Sequence, residues 1–174
     1  MGSVISAKNL TKRYGNLTAV DHATFEIPIG AITGFVGPNG SGKTTTIRML
    51  LGLVRPSDGS AQILEHSISE PATYLPYVGA MIEGPAFYPA LSGRENLRVL
   101  ARLGNFPFER VEKLLELVGL ADRADSKFKT YSLGMKQRLG IAAALLPDPK
   151  VLILDEPVNG LDPAGIHEIG RAHV

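Results

Sequence analysis

An α/β fold is predicted by three observations: strand-like runs at the N-terminus, a glycine-rich segment followed by a helical pattern, and one continuous apolar run late in the chain. The glycine-rich segment spans residues 37–42, and the apolar run is Val151–Leu154. A strand that is apolar at every position is typical of a parallel sheet covered on both faces. We therefore expect an α/β core with an N-terminal antiparallel β element and a helical insert.

The composition bounds the class of protein. The 174 residues include 18 Lys and Arg against 17 Asp and Glu, and 44% of them are hydrophobic. Such a near-neutral chain is typical of a globular protein and gives no support for nucleic-acid binding. The absence of cysteine excludes a disulfide framework and a cysteine-bound zinc site. No apolar run approaches the roughly 20 residues that span a bilayer, and no signal peptide is expected.

The N-terminal part is predicted to hold short strands and one helix. Strand-like runs at residues 4–5, 18–20 and 24–27 are separated by polar turns. A β-rich run, Ala31–Val36, precedes the glycine-rich segment, and residues 44–52 place their apolar side chains on one helical face. Residues 60–64 are a further strand candidate.

The middle of the chain is predicted to be helical after a proline-rich stretch. Prolines at 71, 76, 85 and 89 argue against a long helix there. Ser92 precedes Glu95 at the spacing of a capping box, and a helical period of apolar residues continues to residue 120. Another helix is expected over residues 134–146, ended by two prolines.

The strongest chemical signal is Gly37-Pro-Asn-Gly-Ser-Gly-Lys43-Thr44, which fits the phosphate-binding pattern G-x-x-x-x-G-K-[ST]. Small residues let backbone N–H groups close around phosphate oxygens, and the following helix presents its positive end to the anion. Lys43 would neutralise phosphate charge, and the Thr44 hydroxyl would bind Mg²⁺. An accidental match in a glycine-rich turn is the alternative, and the expected strand before and helix after the loop argue against it. The predicted binding residues are Gly37, Pro38, Asn39, Gly40, Ser41, Gly42, Lys43, Thr44 and Thr45.

A second signal is the pair of carboxylates that ends the apolar run, Asp155 and Glu156. The carboxyl end of a strand is where open α/β sheets bind ligands. Asp155 would hold Mg²⁺ through water, and Glu156 would polarise an attacking water as a general base. The alternative is that the two carboxylates cap the next helix.

Between these two signals lies Tyr131-Ser-Leu-Gly-Met-Lys-Gln-Arg138. This segment resembles the L-S-G-G-Q-[KR]-Q-R signature of ATP-binding cassette (ABC) proteins, although Tyr131, Leu133 and Met135 depart from it. A Ser hydroxyl and open N–H groups at a helix start form a second anion site, whereas a lone S-x-G is an ordinary helix cap. The resemblance extends from about Ile5 to about Ile169.

The resemblance to ABC proteins implies a RecA-like P-loop NTPase core and roles for further residues. Ser132, Gly134 and Met135 would contact the ATP held by a second copy of the chain. Tyr14 stands where the family places an aromatic ring that stacks on adenine; packing at a strand end is the alternative. Asp162, in a segment similar to the family's E-P-[TS]-x-x-L-D, would communicate across the dimer.

Glu83 stands where the family usually has a glutamine that reaches Mg²⁺ and the attacking water. A carboxylate can also ligate Mg²⁺ or accept from water, so Glu83 joins Lys43 and Glu156 as an expected catalytic residue and Thr44 and Asp155 as an expected metal ligand. The apolar stretch Phe87–Leu91 lies in the neighbourhood that receives the membrane subunit in this family. A satellite hydrophobic cluster is the alternative reading of that stretch.

Together these features resemble the ATPase subunit of bacterial bacitracin- and lantibiotic-type exporters. The resemblance implies ATP and Mg²⁺ as cofactors, a head-to-tail dimer, an integral membrane permease as partner, and a cytoplasmic location on the inner face of the membrane. The cargo would be peptide antibiotics or other amphipathic compounds. The alternatives are a soluble ABC-type ATPase without a permease, and a fragment that binds ATP without hydrolysing it efficiently.

Residues 1–174 are expected to form one incomplete ABC ATPase domain with a helical subdomain inserted at about residues 88–138. Family members carry a histidine that contacts the γ-phosphate on a strand beyond the Asp162 segment, and the chain ends before such a strand. Because His167 and His173 fall on or beside the helix expected after Pro163, neither is assigned that role. We expect the C-terminal part of the core to be missing and hydrolysis to be impaired.

Overall fold

The structure is a computed structural model that describes residues 2–82, 84 and 86–156. These residues belong to two compact units, of which the first ends at Pro76 and the second begins at Tyr77. Each unit has its own sheet. The glycine-rich segment belongs to the first unit, and the helical region belongs to the second.

The first unit is built on a four-stranded antiparallel sheet in the order β2–β1–β3–β4. A long β1–β2 hairpin, closed where Tyr14 pairs with Leu17, confirms the expected N-terminal antiparallel element. The strands are β1 (Ser3–Tyr14), β2 (Leu17–Pro28), β3 (Asp58–Ile63) and β4 (His66–Ser67). The helices are α1 (Lys43–Leu50) and α2 (Pro71–Tyr74).

Helix α1 packs its apolar face on β2 and β3, with Ile47, Met49 and Leu50 buried. At its C-terminal end, the hydroxyl of Tyr74 donates a 2.8 Å hydrogen bond to the Leu50 carbonyl. Because Tyr74 is fully buried, this bond satisfies a buried hydroxyl and an open carbonyl of the helix end together. Burial raises the pKa of Tyr74, which keeps its hydroxyl protonated as a donor.

The strand expected at Ala31–Val36 is not formed. Residues 31–38 have no regular secondary structure, and the side chains of Ile32 and Val36 are 63% and 92% exposed. A strand needs a neighbour for its backbone hydrogen bonds, and in the described part of the chain no strand pairs with this segment. The expectation rested on β propensity alone, and the lack of a pairing strand among the described residues outweighs that propensity.

The second unit contains a parallel pair, β5 (Val78–Met81) and β6 (Val151–Leu154), in which Val78 lies opposite Val151. This pairing confirms β6 as a parallel strand. However, only Val151 is buried and the rest of β6 is half-buried, so the prediction that β6 is covered on both faces is wrong. The sequence pattern did not predict β5, a run of four residues between two prolines. The helices are α3 (Gly93–Gly104), α4 (Glu109–Leu117) and α5 (Leu133–Leu145).

Helix α5 is the core helix of the second unit and packs against α3, α4, β5 and β6. Each fully buried Leu or Ile contributes about 1.5–3 kcal/mol. The hydrophobic core around α5 includes Leu97, Ala101, Val111, Leu114, Leu115, Leu139, Ile141, Ala142, Leu145 and Leu146.

The start of α3 confirms the capping box. The Ser92 hydroxyl accepts from the Glu95 amide at 3.1 Å, and the Glu95 carboxylate accepts from the Ser92 amide at 2.7 Å. These hydrogen bonds hold the pKa of Glu95 below its usual value. Arg94, the second residue of α3, forms ion pairs with Glu112 of α4 and with Asp125. The cap thus defines where α3 begins, and Arg94 links this end of the helix to α4.

Helices α4 and α5 cap each other with arginines. Arg110 of α4 donates from Nε to the Leu146 carbonyl and from Nη2 to the Leu145 carbonyl, both at 3.0 Å. In return, Arg138 of α5 donates from Nη1 to the carbonyls of Val118 and Gly119 at 3.3 and 3.1 Å. Helix C-termini leave carbonyls without partners and attract positive charge, so each arginine satisfies the end of the other helix.

We expect Arg110→Met to lower the free energy of unfolding by about 2–3 kcal/mol, because buried carbonyls at the end of α5 lose charged donors while the side-chain stem still packs. Asp148→Asn is the matched control: it removes the charge that pairs with Arg110 at 3.0 Å and tolerates the left-handed backbone there. The free energy of unfolding of Asp148→Asn should fall by less than about 1 kcal/mol. Urea unfolding followed by circular dichroism compares the two, and equal losses would refute the capping role.

Candidate functional site

The structure places the predicted site residues in two groups, one in each unit. The first unit holds Tyr14 and residues 37–45, and the second holds Ser132, Gly134, Met135, Asp155 and Glu156. Glu83 and Asp162 lie outside the described residues, and so does the rest of the segment after Glu156.

The glycine-rich loop depends on two left-handed residues. Gly40 has a φ of +83° and Gly42 a φ of +88°, a region in which a side chain costs about 1–2 kcal/mol. At Gly42 there is a further constraint, because a Cβ there would overlap the carbonyl oxygen of Ala19 on β2. At Gly40 no atom lies within 4 Å of such a Cβ. The loop therefore needs glycine at 42 for both conformation and space, and at 40 for conformation alone.

The Lys43 ammonium is hydrogen-bonded to the loop that precedes it. Its Nζ donates to the carbonyls of Gly37 at 2.8 Å and Pro38 at 3.0 Å, and the Ser41 amide donates to the Pro38 carbonyl at 3.2 Å. Helix α1 begins directly after Gly42, which offers no side-chain cap, and its first turn has no acidic residue. A lysine charge and an uncapped helix N-terminus at one loop are suited to a phosphate group.

Tyr14 lies at the closed end of the β1–β2 hairpin, and its side chain is 48% exposed. The ammonium of Lys12 lies 4.9 Å from the centroid of its ring and also donates to the Arg55 carbonyl. The ring is thus not buried at the strand end, which disfavours the packing alternative. A half-exposed ring supported by a cation is able to stack on a flat aromatic ligand.

The predicted signature begins helix α5. Ser132 is the N-cap, in an extended conformation, and its hydroxyl accepts from the Met135 amide at 3.3 Å. The side chains of Ser132 and Leu133 are exposed, and Gly134 and Met135 are half-buried. As in α1, the first turn of α5 has no acidic residue. The exposed end of a buried helix thus presents a serine and the positive end of its dipole.

Asp155 and Glu156 follow directly after β6, as predicted. The Asp155 amide donates to the Met81 carbonyl at 2.8 Å, which ties this residue to the end of β5. The side chain of Asp155 is half-buried, whereas Glu156 is exposed. Glu156 has a φ of +48°, a left-handed conformation that is uncommon in residues other than glycine.

Within residues 2–82, 84 and 86–156, no group of three His, Cys, Asp or Glu side chains is placed to hold a metal ion. None of the helices in these ranges is both long enough and apolar enough to cross a membrane.

Sequence reasoning treated Tyr131 only as a departure from the leucine usual in the signature. In the structure Tyr131 is buried, and its hydroxyl donates to the Arg123 carbonyl at 2.7 Å. Its one sequence signal is its place directly before Ser132.

Comparison with known proteins agrees with these observations. Residues 20–159 match the ABC transporter family. The chain is 52% identical over its whole length to the uncharacterized ABC transporter ATP-binding protein YhcH of Bacillus subtilis (strain 168), and it covers 57% of YhcH. It is 50% identical to the bacitracin transport ATP-binding protein BcrA of Enterococcus faecalis, with 97% of this chain and 56% of BcrA covered. The chain thus spans little more than half the length of the curated relatives it matches.

A solved structure described as the ATP-binding subunit of an ABC transporter is similar in fold. Its TM-score is 0.81 at 32% sequence identity, with 98% of this chain and 74% of that chain covered. The similarity confirms the predicted P-loop NTPase fold of ABC ATPase domains.

We expect Gly42→Ala to lower the free energy of unfolding by about 2–4 kcal/mol, since left-handed strain and overlap with the Ala19 carbonyl add together. Gly40→Ala is the matched control: it carries the strain without the overlap, and should cost about 1 kcal/mol. Chemical denaturation of both variants measures the difference. If the two losses are the same, the approach of β2 is not what requires a glycine at 42.

Proposed function

Because the chain belongs to the ABC transporter family, we propose that it binds ATP with Mg²⁺ and hydrolyses it to drive export of a peptide antibiotic or a similar amphipathic compound. The observation that carries the proposal is the loop at residues 37–43, in which left-handed glycines and the Lys43 ammonium lead into the uncapped helix α1. This arrangement has the elements that a triphosphate requires: backbone donors, a positive helix end and a cation.

We propose that Mg²⁺ arrives as the MgATP substrate complex. The Thr44 hydroxyl and the Asp155 carboxylate are hard oxygen donors of the kind that Mg²⁺ prefers, and ABC-type sites complete its shell with phosphate oxygens and water. Glu83 is proposed as a third ligand by its place in the sequence alone. Tyr14 would stack on the adenine.

Glu156 is the proposed general base for hydrolysis. Its carboxylate is exposed at the end of β6, where it can accept a proton from an attacking water. The neighbouring Asp155 is half-buried whereas Glu156 is exposed, which gives the two residues different surroundings. Different surroundings allow different roles, with Asp155 on Mg²⁺ and Glu156 on water.

A second copy of the chain is proposed to complete the site. The exposed Ser132 and the N-terminus of α5 offer a second anion site, which in a head-to-tail dimer would contact the ATP bound by the other copy. Asp162 is proposed to carry contacts across that dimer.

The proposed partner is an integral membrane permease, with the ATPase on the cytoplasmic face of the membrane. Support comes from the family match and from the bacitracin transport relative. The likeness to BcrA favours bacitracin as the first cargo to test.

Two substitutions should separate binding from hydrolysis. Lys43→Ala should weaken MgATP binding by about 10- to 100-fold, since charged hydrogen bonds to phosphate are lost. Glu156→Gln should leave that affinity within about twofold and lower the turnover number by about 10²- to 10⁴-fold. Titration with a fluorescent ATP analogue and a phosphate-release assay measure the two. Lys8→Ala and Glu116→Gln are the controls, because they change exposed charges elsewhere in the chain. Wild-type affinity in Lys43→Ala would place nucleotide binding outside the loop at residues 37–43.

Export is tested in a bacitracin-sensitive bacterium that receives this protein, as its gene encodes it, together with the permease proposed as its partner. The inhibitory concentration of bacitracin should rise several-fold, and Glu156→Gln should abolish the rise because transport depends on hydrolysis. Equal protection by the variant would separate resistance from ATP turnover. Intact turnover without protection would direct the search to another cargo.

A further inference from the structure

Tyr131 lies between a single turn of 3₁₀ helix and the start of α5. The turn spans Phe128–Thr130, and both Tyr131 and Ser132 are extended before the helix begins. The Tyr131 side chain is only 4% exposed, although the serine beside it is exposed. The buried side chain of Tyr131 therefore directly precedes the exposed side chain of Ser132.

A hydrogen bond and a ring contact hold the Tyr131 side chain. Its hydroxyl donates to the Arg123 carbonyl at 2.7 Å. Its ring centroid lies 5.8 Å from that of Phe128, and Phe128 in turn contacts Phe87 edge-on at 5.1 Å. Aromatic pairs at such distances contribute about 0.5–1.5 kcal/mol beyond their burial, so the ring has a defined place as well as a buried one.

The backbone around these rings is tied down as well. The Phe128 amide donates to the Leu91 carbonyl at 2.8 Å, and the Lys129 amide donates to the Pro89 carbonyl at 3.1 Å. The segment that enters the signature is therefore hydrogen-bonded to the segment that enters α3. Tyr131 packs against these hydrogen-bonded segments, and its hydroxyl bond joins the signature to the Arg123 backbone.

Gly93, the first residue of α3, provides the space for the tyrosine hydroxyl. A Cβ built on Gly93 would overlap the Tyr131 hydroxyl oxygen and press on the ring carbon that carries it. Gly93 itself is buried. Glycine at 93 and tyrosine at 131 thus fit as a pair, and a methyl group on one competes with the hydroxyl of the other.

We propose that Tyr131 is a positioning residue for the signature, whose hydroxyl bond to the Arg123 carbonyl fixes the direction in which Ser132 enters α5. The serine hydroxyl then accepts from the Met135 amide, and Ser132 and Leu133 are exposed. This inference rests on the proposed function, in which Ser132–Met135 contact the ATP of a second copy. Loss of the tyrosine hydroxyl leaves the Arg123 carbonyl without this donor and lets the start of α5 shift.

Hydrogen–deuterium exchange of the peptide covering residues 132–136 tests the inference directly. Tyr131→Phe keeps the ring and removes the hydroxyl, and should speed exchange there by about tenfold while leaving the second half of α5 unchanged. Tyr74→Phe is the matched control, because it removes another buried hydroxyl that caps a carbonyl, in the first unit. It should leave residues 132–136 unaffected.

A pair of variants tests the fit between the two residues. Gly93→Ala should displace the tyrosine and speed exchange at residues 132–136 at least as much as Tyr131→Phe does. Adding Tyr131→Phe to Gly93→Ala removes the overlapping hydroxyl, so exchange in the double variant should fall back toward that of Tyr131→Phe alone. Additive effects of the two changes would overturn the proposed fit.

Turnover gives a second readout on the protein as its gene encodes it, purified with its permease. Tyr131→Phe should lower kcat by about 3- to 10-fold with the dissociation constant for MgATP unchanged, because the loop at residues 37–43 holds the nucleotide. Unchanged exchange at residues 132–136 in both single variants would overturn the positioning role. If the wild-type protein shows no turnover but Tyr131→Phe still speeds exchange at residues 132–136, the positioning role is supported and only the proposed function is contradicted.

Discussion

Helix α5 buries six of the seven residues from Leu139 to Leu145 while Ser132 and Leu133 at its start stay exposed, and the second unit is organised around that arrangement. Its buried residues pack against α3, α4 and the parallel strands, so its ends cannot rely on water alone for hydrogen bonds. Arg110 satisfies the C-terminal carbonyls from α4. At the other end Ser132 supplies the cap, and Tyr131 fixes the approach. The helix is thus held from both ends.

The same helix leads toward β6 and the carboxylates. After α5 the chain turns, β6 pairs with β5, and the Asp155 amide extends that pairing by one hydrogen bond. A shift of α5 would therefore strain the chain that positions Asp155 and Glu156. Glu156 at this end has a left-handed backbone, which costs a non-glycine residue about 1–2 kcal/mol.

The sequence predicted features whose cause is local. The capping box at Ser92 and Glu95, the amphipathic period of α3 and α4, and the glycine-rich loop are set by residues a few positions apart. Strand pairing is not local: β5 has only four residues and is defined by its register with β6, while Ala31–Val36 has β propensity without a paired neighbour.

Long-range fits were beyond sequence reasoning for the same reason. The arginine caps join residues at least 19 positions apart, and no pattern along the chain marks Arg110 or Arg138 as capping residues. The pairing of Tyr131 with Gly93 spans two helices and depends on a hydroxyl fitting where a Cβ is missing. A single sequence shows the two residues separately, and only the fold shows that they share one space.

The distribution of acidic residues distinguishes the helices that are proposed to bind anions. Helix α3 has Glu95 in its first turn and α4 has Glu109 and Glu112, which neutralise the positive end of the dipole and each contribute about 0.3–1 kcal/mol. Helices α1 and α5 have none. Among helices of eight or more residues in the described ranges, stabilisation by a first-turn carboxylate is thus missing only where the loop at residues 37–43 and the signature begin a helix. A phosphate group at either place would supply the negative charge that α3 and α4 carry in their own side chains.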